Sequence, residues 1–145
     1  MKLTSKNFNN EGELPSKYTC DGDNVAPELN WSEYPKETKS FALSCIDPDS
    51  PGKNFVHWVV INIPVDTNGS VEGSININGG EGIKNDFGQT EYGGPCPASG
   101  KHRYIFTIYA LNAEKIDDIN KDNFLQKIEP YILDKAQLIG KYQRN

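Results

Sequence analysis

The sequence predicts a mostly-β fold, an antiparallel sandwich or barrel with one or two helices late in the chain. Three observations predict it. Short apolar or alternating runs are separated by glycine- and proline-rich turns over the first hundred residues. No strand–helix–strand alternation of the kind that builds a parallel sheet occurs. Only the tail carries a helical period.

In chain order, residues 3–5 and 28–31 are short strand candidates. Residues 39–46 read as a longer strand, stopped by the turn formers Asp47-Pro48-Asp49-Ser50-Pro51-Gly52. Residues 55–63 make a second, ended by Pro64. One of its faces carries Phe55, His57, Val59, Ile61 and Ile63; the other carries Val56, Trp58, Val60 and Asn62. Both are largely apolar, which places this strand centrally rather than at a solvated edge. A short strand is expected over 71–77, and a third long one over 103–111, with His102, Tyr104, Phe106, Ile108 and Ala110 on one face. Helix is expected over 121–137: Asp122 caps a turn carrying Phe124, Leu125 and Ile128, and Pro130 opens another carrying Ile132, Leu133 and Ala136. A last short strand is expected over 138–142.

At 145 residues, 1–145 is expected to fold as a single domain. Hydrophobic residues are 36% of the chain, and no run approaches the roughly 20 apolar residues of a spanning helix. The first residues carry a lysine but no apolar stretch, so a cytoplasmic protein is expected. The net charge of −5 repels a phosphate backbone, and the lysines are scattered, which argues against nucleic-acid binding. Cys20, Cys45 and Cys96 form an odd set without a C-x-x-C pair, so reduced thiols are expected, with Cys45 a small core residue.

Histidine chemistry can sit only at His57 or His102. A buried histidine is more often a hydrogen-bonded core residue than a functional one, and acidic turn residues usually do no more than shape the turn. The run Tyr92-Gly93-Gly94-Pro95-Cys96-Pro97-Ala98-Ser99-Gly100-Lys101-His102-Arg103-Tyr104 adds two glycines whose N–H groups could approach an oxyanion. No P-loop, G-x-G-x-x-G, G-x-S-x-G or H-E-x-x-H pattern is present. Two histidines and a carboxylate could ligate a metal, but they lack short ligand spacing, and none is expected.

The order of four motifs is more specific. Asp47-Pro48-Asp49-Ser50-Pro51 is followed by Phe55-Val56-His57-Trp58-Val59-Val60-Ile61-Asn62-Ile63-Pro64, then Tyr92-Gly93-Gly94-Pro95-Cys96-Pro97, then His102-Arg103-Tyr104. The series resembles the phosphatidylethanolamine-binding protein family, also called the Raf kinase inhibitor protein family, in its small prokaryotic branch. Tyr18-Thr19-Cys20-Asp21-Gly22, Pro27-Glu28-Leu29-Asn30-Trp31, Asn85-Asp86-Phe87-Gly88 and Leu138-Ile139-Gly140-Lys141-Tyr142 extend the resemblance over nearly the whole chain.

The resemblance implies an antiparallel Greek-key β-sandwich with an anion pocket at one end. Carried over by position, that pocket would be lined by Asp47, His57, Gly94, Pro95, His102 and Tyr104, and supported by Asp49, Trp58 and Arg103. Ala98 departs from the proline common in prokaryotic relatives, and no lid helix follows the last motif. His57, Tyr104 and the Gly94 N–H would make a donor cluster for phosphate. Asp47 would orient a histidine or meet an ammonium group. Arg103 is expected to pair with Asp49. The expected function is therefore a module for small anions or a phosphoethanolamine-like headgroup, with a regulatory role and no cofactor. An inhibitor of a serine protease or kinase and an unrecognised hydrolase are the alternatives. A monomer or homodimer is expected, with at most peripheral membrane contact.

Overall fold

The computed structural model describes residues 1–144. Among these residues nine strands form: β1 (Lys2–Thr4), β2 (Gly12–Glu13), β3 (Leu29–Ser32), β4 (Ser40–Asp47), β5 (Phe55–Pro64), β6 (Gly69–Ser70), β7 (Glu81–Ile83), β8 (His102–Leu111) and β9 (Ile132–Tyr142). They build a small sheet, β1-β3-β6, and a large one, β2-β9-β8-β4-β5-β7. Every pairing is antiparallel except the two-residue contact of β2 with β9. The fold is mostly β, as the turn-punctuated sequence predicts.

The three long runs read from sequence become β4, β5 and β8, and they lie inside the large sheet. Their inner face buries Phe41, Leu43, Cys45, Trp58, Val60, Phe106 and Ile108 against Leu3, Leu29 and Trp31 of the small sheet. The outer face carries Ala42, Val59, Ile61 and Tyr109, covered by α1 (Phe124–Ile128) and the segment before it. Two buried faces explain why β5 shows no polar side in its sequence.

Three expectations are corrected. The helix expected over 121–137 is only α1 and a following 3-10 turn, Glu129–Tyr131. Ile132, Leu133 and Ala136 belong instead to β9, which pairs with β8 from Leu111 to His102. Their spacing fits either period, and the long ladder to β8 decides between them. No strand forms over 71–77: Ser74 closes a turn onto the Val71 carbonyl, and the Gly73 N–H reaches the Ala26 carbonyl. Only Ile77 of that stretch is buried among its hydrophobic residues.

The cysteines are corrected as well. Cys20 and Cys96 form a disulfide across 76 positions, and only Cys45 remains a free, buried thiol. Nothing local announces the pair; the fold brings the two loops together, and the Cys20 N–H donates to the Pro95 carbonyl. Among the described residues, no helix is long and apolar enough to cross a membrane.

Closing so long a loop restricts the unfolded chain, and a native disulfide contributes about 2–4 kcal/mol. The Cys20→Ser/Cys96→Ser protein is expected to melt roughly 5–15 °C below the oxidised wild type. Calorimetry of both proteins, with the reduced wild type as a third sample, checks this; an unchanged midpoint would show that the bridge adds no stability.

Candidate functional site

The site is set by a change of register. Cys45 lies opposite Trp58, but Ile46 lies opposite Val56, so His57 is a surplus residue in β5. Val56 packs on the outer cluster and Trp58 in the inner one. The bulge takes His57 out of the alternation that would group it with Val59 and Ile61. Its ring lies instead against Tyr104, with centroids 5.2 Å apart.

At this end of the large sheet, Asp47, Phe55, His57, Phe87, His102 and Tyr104 surround a cavity of about 260 Å³. His102 and Tyr104, two apart on β8, stack with their planes 19° from parallel. A larger groove of about 480 Å³ lies on the outer face of the sheet, beside α1. It contains no histidine and none of the candidate site residues expected from sequence.

The hydrogen bonds give each polar group a definite role. His102 Nδ1 lies 2.7 Å from Asp47 Oδ2, and its Nε2 lies 3.0 Å from the Ser99 carbonyl. Both partners are acceptors, so only the imidazolium form makes both bonds. Asp47 Oδ1 accepts the Asp49 N–H at 2.7 Å, so each carboxylate oxygen accepts one bond within the protein. Asp47 thus fixes His102 and shapes its own turn.

His57 differs. Its Nδ1 lies 2.6 Å from the Gly93 carbonyl, which can only accept, so this nitrogen carries the proton. The Gly93 N–H returns a bond of 3.2 Å to the His57 carbonyl. Burial lowers the His57 pKa below its usual 6.5, opposed by the Gly93 carbonyl and the Asp47 charge. The ring is therefore neutral near pH 7, with a lone pair on Nε2. Burial first, and the Asp47 charge second, push the Tyr104 pKa up and keep its hydroxyl protonated. Neither His57 Nε2 nor the Tyr104 hydroxyl has a hydrogen-bond partner among the described residues.

Gly94 and Pro95 lie behind the cavity rather than lining it. The Gly94 N–H donates to Asn24 Oδ1 at 2.8 Å, so it is not free for an anion. A side chain at Gly94 would collide with the Tyr18 carbonyl and Asn24, and one at Gly93 with the Phe87 ring. The two glycines are needed for close packing, not for backbone approach to a ligand. Trp58 points into the core against Tyr92, with centroids 5.6 Å apart, and does not touch the cavity. Arg103 lies outside it. Its Nε and Nη2 each reach Asp49 at 2.9 Å, and its backbone N–H does the same.

Sequence reasoning assigned no role to Phe55, Phe87 or Asn85. Asn85 is buried, donates to the His57 and Glu91 carbonyls, and accepts from the N–H groups of Phe87 and Gln89. Asp86 accepts the Val56 N–H and pairs with Lys53 and Lys121. Together they hold the 84–88 loop on β5 and place Phe87 over the cavity. The only sequence signal was the motif Asn85-Asp86-Phe87-Gly88 itself. Among the described residues, no cluster of three metal-ligating side chains occurs.

Two facing sheets, with an aromatic-walled cavity at the end of the larger one, define a small β-sandwich binding module. The chain belongs to the phosphatidylethanolamine-binding protein family, whose model matches residues 4–143. A UPF0098 protein of Methanothermobacter thermautotrophicus is 44% identical over 99% of both chains. The UPF0098 protein YbhB of Escherichia coli is 42% identical over 81% of this chain and 82% of its own. A Chlamydia trachomatis structure, described as that of a phosphatidylethanolamine-binding protein homologue, superposes with a TM-score of 0.91 at 32% identity, covering 99% of this chain and 97% of that one. Escherichia coli YbcL superposes at 0.92 with 29% identity, over 99% and 98% of the two chains.

The Arg103–Asp49 pair is half-exposed, with side-chain exposures of 48% and 31%, so solvent screens it. Arg103→Ala is therefore expected to lower stability only slightly, without the large penalty of a broken buried pair. The Arg103 guanidinium, foremost, holds the Asp49 pKa down to about 2. A depressed carboxyl stabilises the fold above its unfolded value of about 3.9, and the effect is lost as pH falls through the folded value. The gap between wild type and Arg103→Ala should thus be constant above about pH 4 and close towards pH 2. Urea unfolding across that range checks it.

Proposed function

We propose that the cavity binds a small phosphate-bearing ligand of the phosphoethanolamine type, in a regulatory rather than a catalytic role. The observation that carries this reading is the pairing of two unpartnered polar groups, His57 Nε2 and the Tyr104 hydroxyl, at the wall of a cavity of about 260 Å³. The aromatic walls suit the other end of such a ligand. Phe55 and Phe87 meet edge to face at 4.9 Å, and an alkylammonium resting on a phenyl face is held by cation–π attraction. Asp47 also lines the cavity, and each of its oxygens accepts one bond within the protein and keeps a lone pair for the ammonium group. A hydrolytic role is disfavoured by the placement of His102, whose two nitrogens face a carboxylate and a carbonyl within the protein and not a nucleophile.

The family resemblance to kinase and protease inhibitors adds protein partners to the proposal, with the occupied cavity as their input. The disulfide bears on location. It persists in an oxidising compartment, whereas a cytosolic copy in a mesophile would carry Cys20 and Cys96 as thiols.

Calorimetric titration with phosphoethanolamine tests the site. Tyr104→Phe removes one hydroxyl donor and should weaken binding by about 1.5–3 kcal/mol, roughly 10- to 150-fold in Kd. No phosphoester should be turned over by either protein. Unchanged affinity would move the ligand elsewhere; turnover that Tyr104→Phe abolishes would make the protein a hydrolase.

A further inference from the structure

We infer that the cavity, taken as the phosphate site above, selects phosphomonoesters over phosphodiesters, and holds them with one proton shared between a phosphoryl oxygen and His57 Nε2. Binding is then coupled to proton uptake.

The argument starts from the His57 tautomer. Because Nδ1–H is committed to the Gly93 carbonyl, the neutral ring offers the cavity only a lone pair. A fully ionised phosphate offers only lone pairs too, so the two repel unless one of them carries a proton. The charges around the cavity sharpen this requirement. No lysine or arginine lines it. Five nearby cations already face carboxylates: Arg103 meets Asp49, Lys53 and Lys121 meet Asp86, Arg144 meets Asp21, and Lys101 meets Glu13.

The groups facing His57 come from every element packed around it. Asp47 approaches from β4, His102 and Tyr104 from β8, and Asp86 from the 84–88 loop, while the Phe55 and Phe87 rings add no charge. A dianion placed there meets a lone pair and two nearby carboxylates, with only the Tyr104 and Ser50 hydroxyls among the lining side chains to hold it. A phosphomonoester resolves the conflict, because its second proton binds with a pKa of about 6 and is easily retained. The protonated oxygen donates to Nε2, and another oxygen accepts from Tyr104. A diester has no oxygen that protonates near neutrality. It requires the imidazolium form of a ring buried to 4% exposure, which desolvation opposes. A lipid headgroup, as a diester, is therefore the poorer ligand, and a free phosphomonoester the better one.

The test uses the wild-type protein. Phosphoethanolamine and glycerophosphoethanolamine are titrated calorimetrically at pH 8 in Tris and in HEPES, whose ionisation enthalpies differ. The monoester should take up about one proton on binding, seen as a buffer-dependent heat. That dependence should fall towards zero near pH 5, where the monoester arrives already protonated. At pH 8 the monoester should bind at least about tenfold more tightly than the diester. His57→Gln should remove the buffer dependence and bring the two ligands within about threefold. Buffer-independent heats at measurable affinity, or equal affinities for the two ligands, would overturn the inference and leave the phosphate site standing. No binding of either compound would overturn both.

Discussion

Where β4 passes β5, two residues, Cys45 and Ile46, run beside three, and the surplus is His57. The cavity end of the sheet depends on this mismatch. Without it His57 would point outward with Val59, and the ring that meets Tyr104 and Phe87 would be replaced by an unshaped strand end. The bulge also frees the His57 carbonyl from the ladder to β4, and two groups claim it: the Gly93 N–H and the Asn85 amide. One extra residue thus anchors both loops that wall the cavity. A bulge beside a candidate site is a recurrent device for re-aiming a side chain.

Much of the fold was legible because β4, β5 and β8 carry their burial in their composition. Turn residues marked their ends within one or two positions. β2 and β7 were not legible: two and three residues long, they hold no period and exist only because a neighbour offers free hydrogen-bonding groups. The tail was misread for a physical reason. Ile132, Leu133 and Ala136 satisfy a helical repeat as well as a strand repeat, and only the ten partners on β8 choose between them. Local preference is a weak prior against a long ladder.

The candidate site was legible as a set of residues and much less so as a set of roles. Motif order named Asp47, His57, His102 and Tyr104, and these four do converge. It could not show that Asp47 and His102 satisfy one another, or that the Gly94 N–H is occupied by Asn24, a residue with no motif of its own. Hydrogen-bond satisfaction is a property of the assembled structure, since each donor's partner comes from another loop. Subtracting the bonded groups leaves the His57 acceptor and the Tyr104 and Ser50 hydroxyls, and that remainder gives the cavity its chemical character.

The bridge between Cys20 and Cys96 has a mechanical consequence. Under tension applied at the chain ends, the covalent ring between those residues cannot straighten. The 76 positions it spans hide about 250 Å of contour length from an extending force. β3 to β7 all lie within that ring, while β1, β2, β8 and β9 lie outside it. A stretched molecule would therefore peel its first two and last two strands from the sheets, while the hairpin that bears His57 remained a closed loop. Cutting the bridge would release that hidden length in one step.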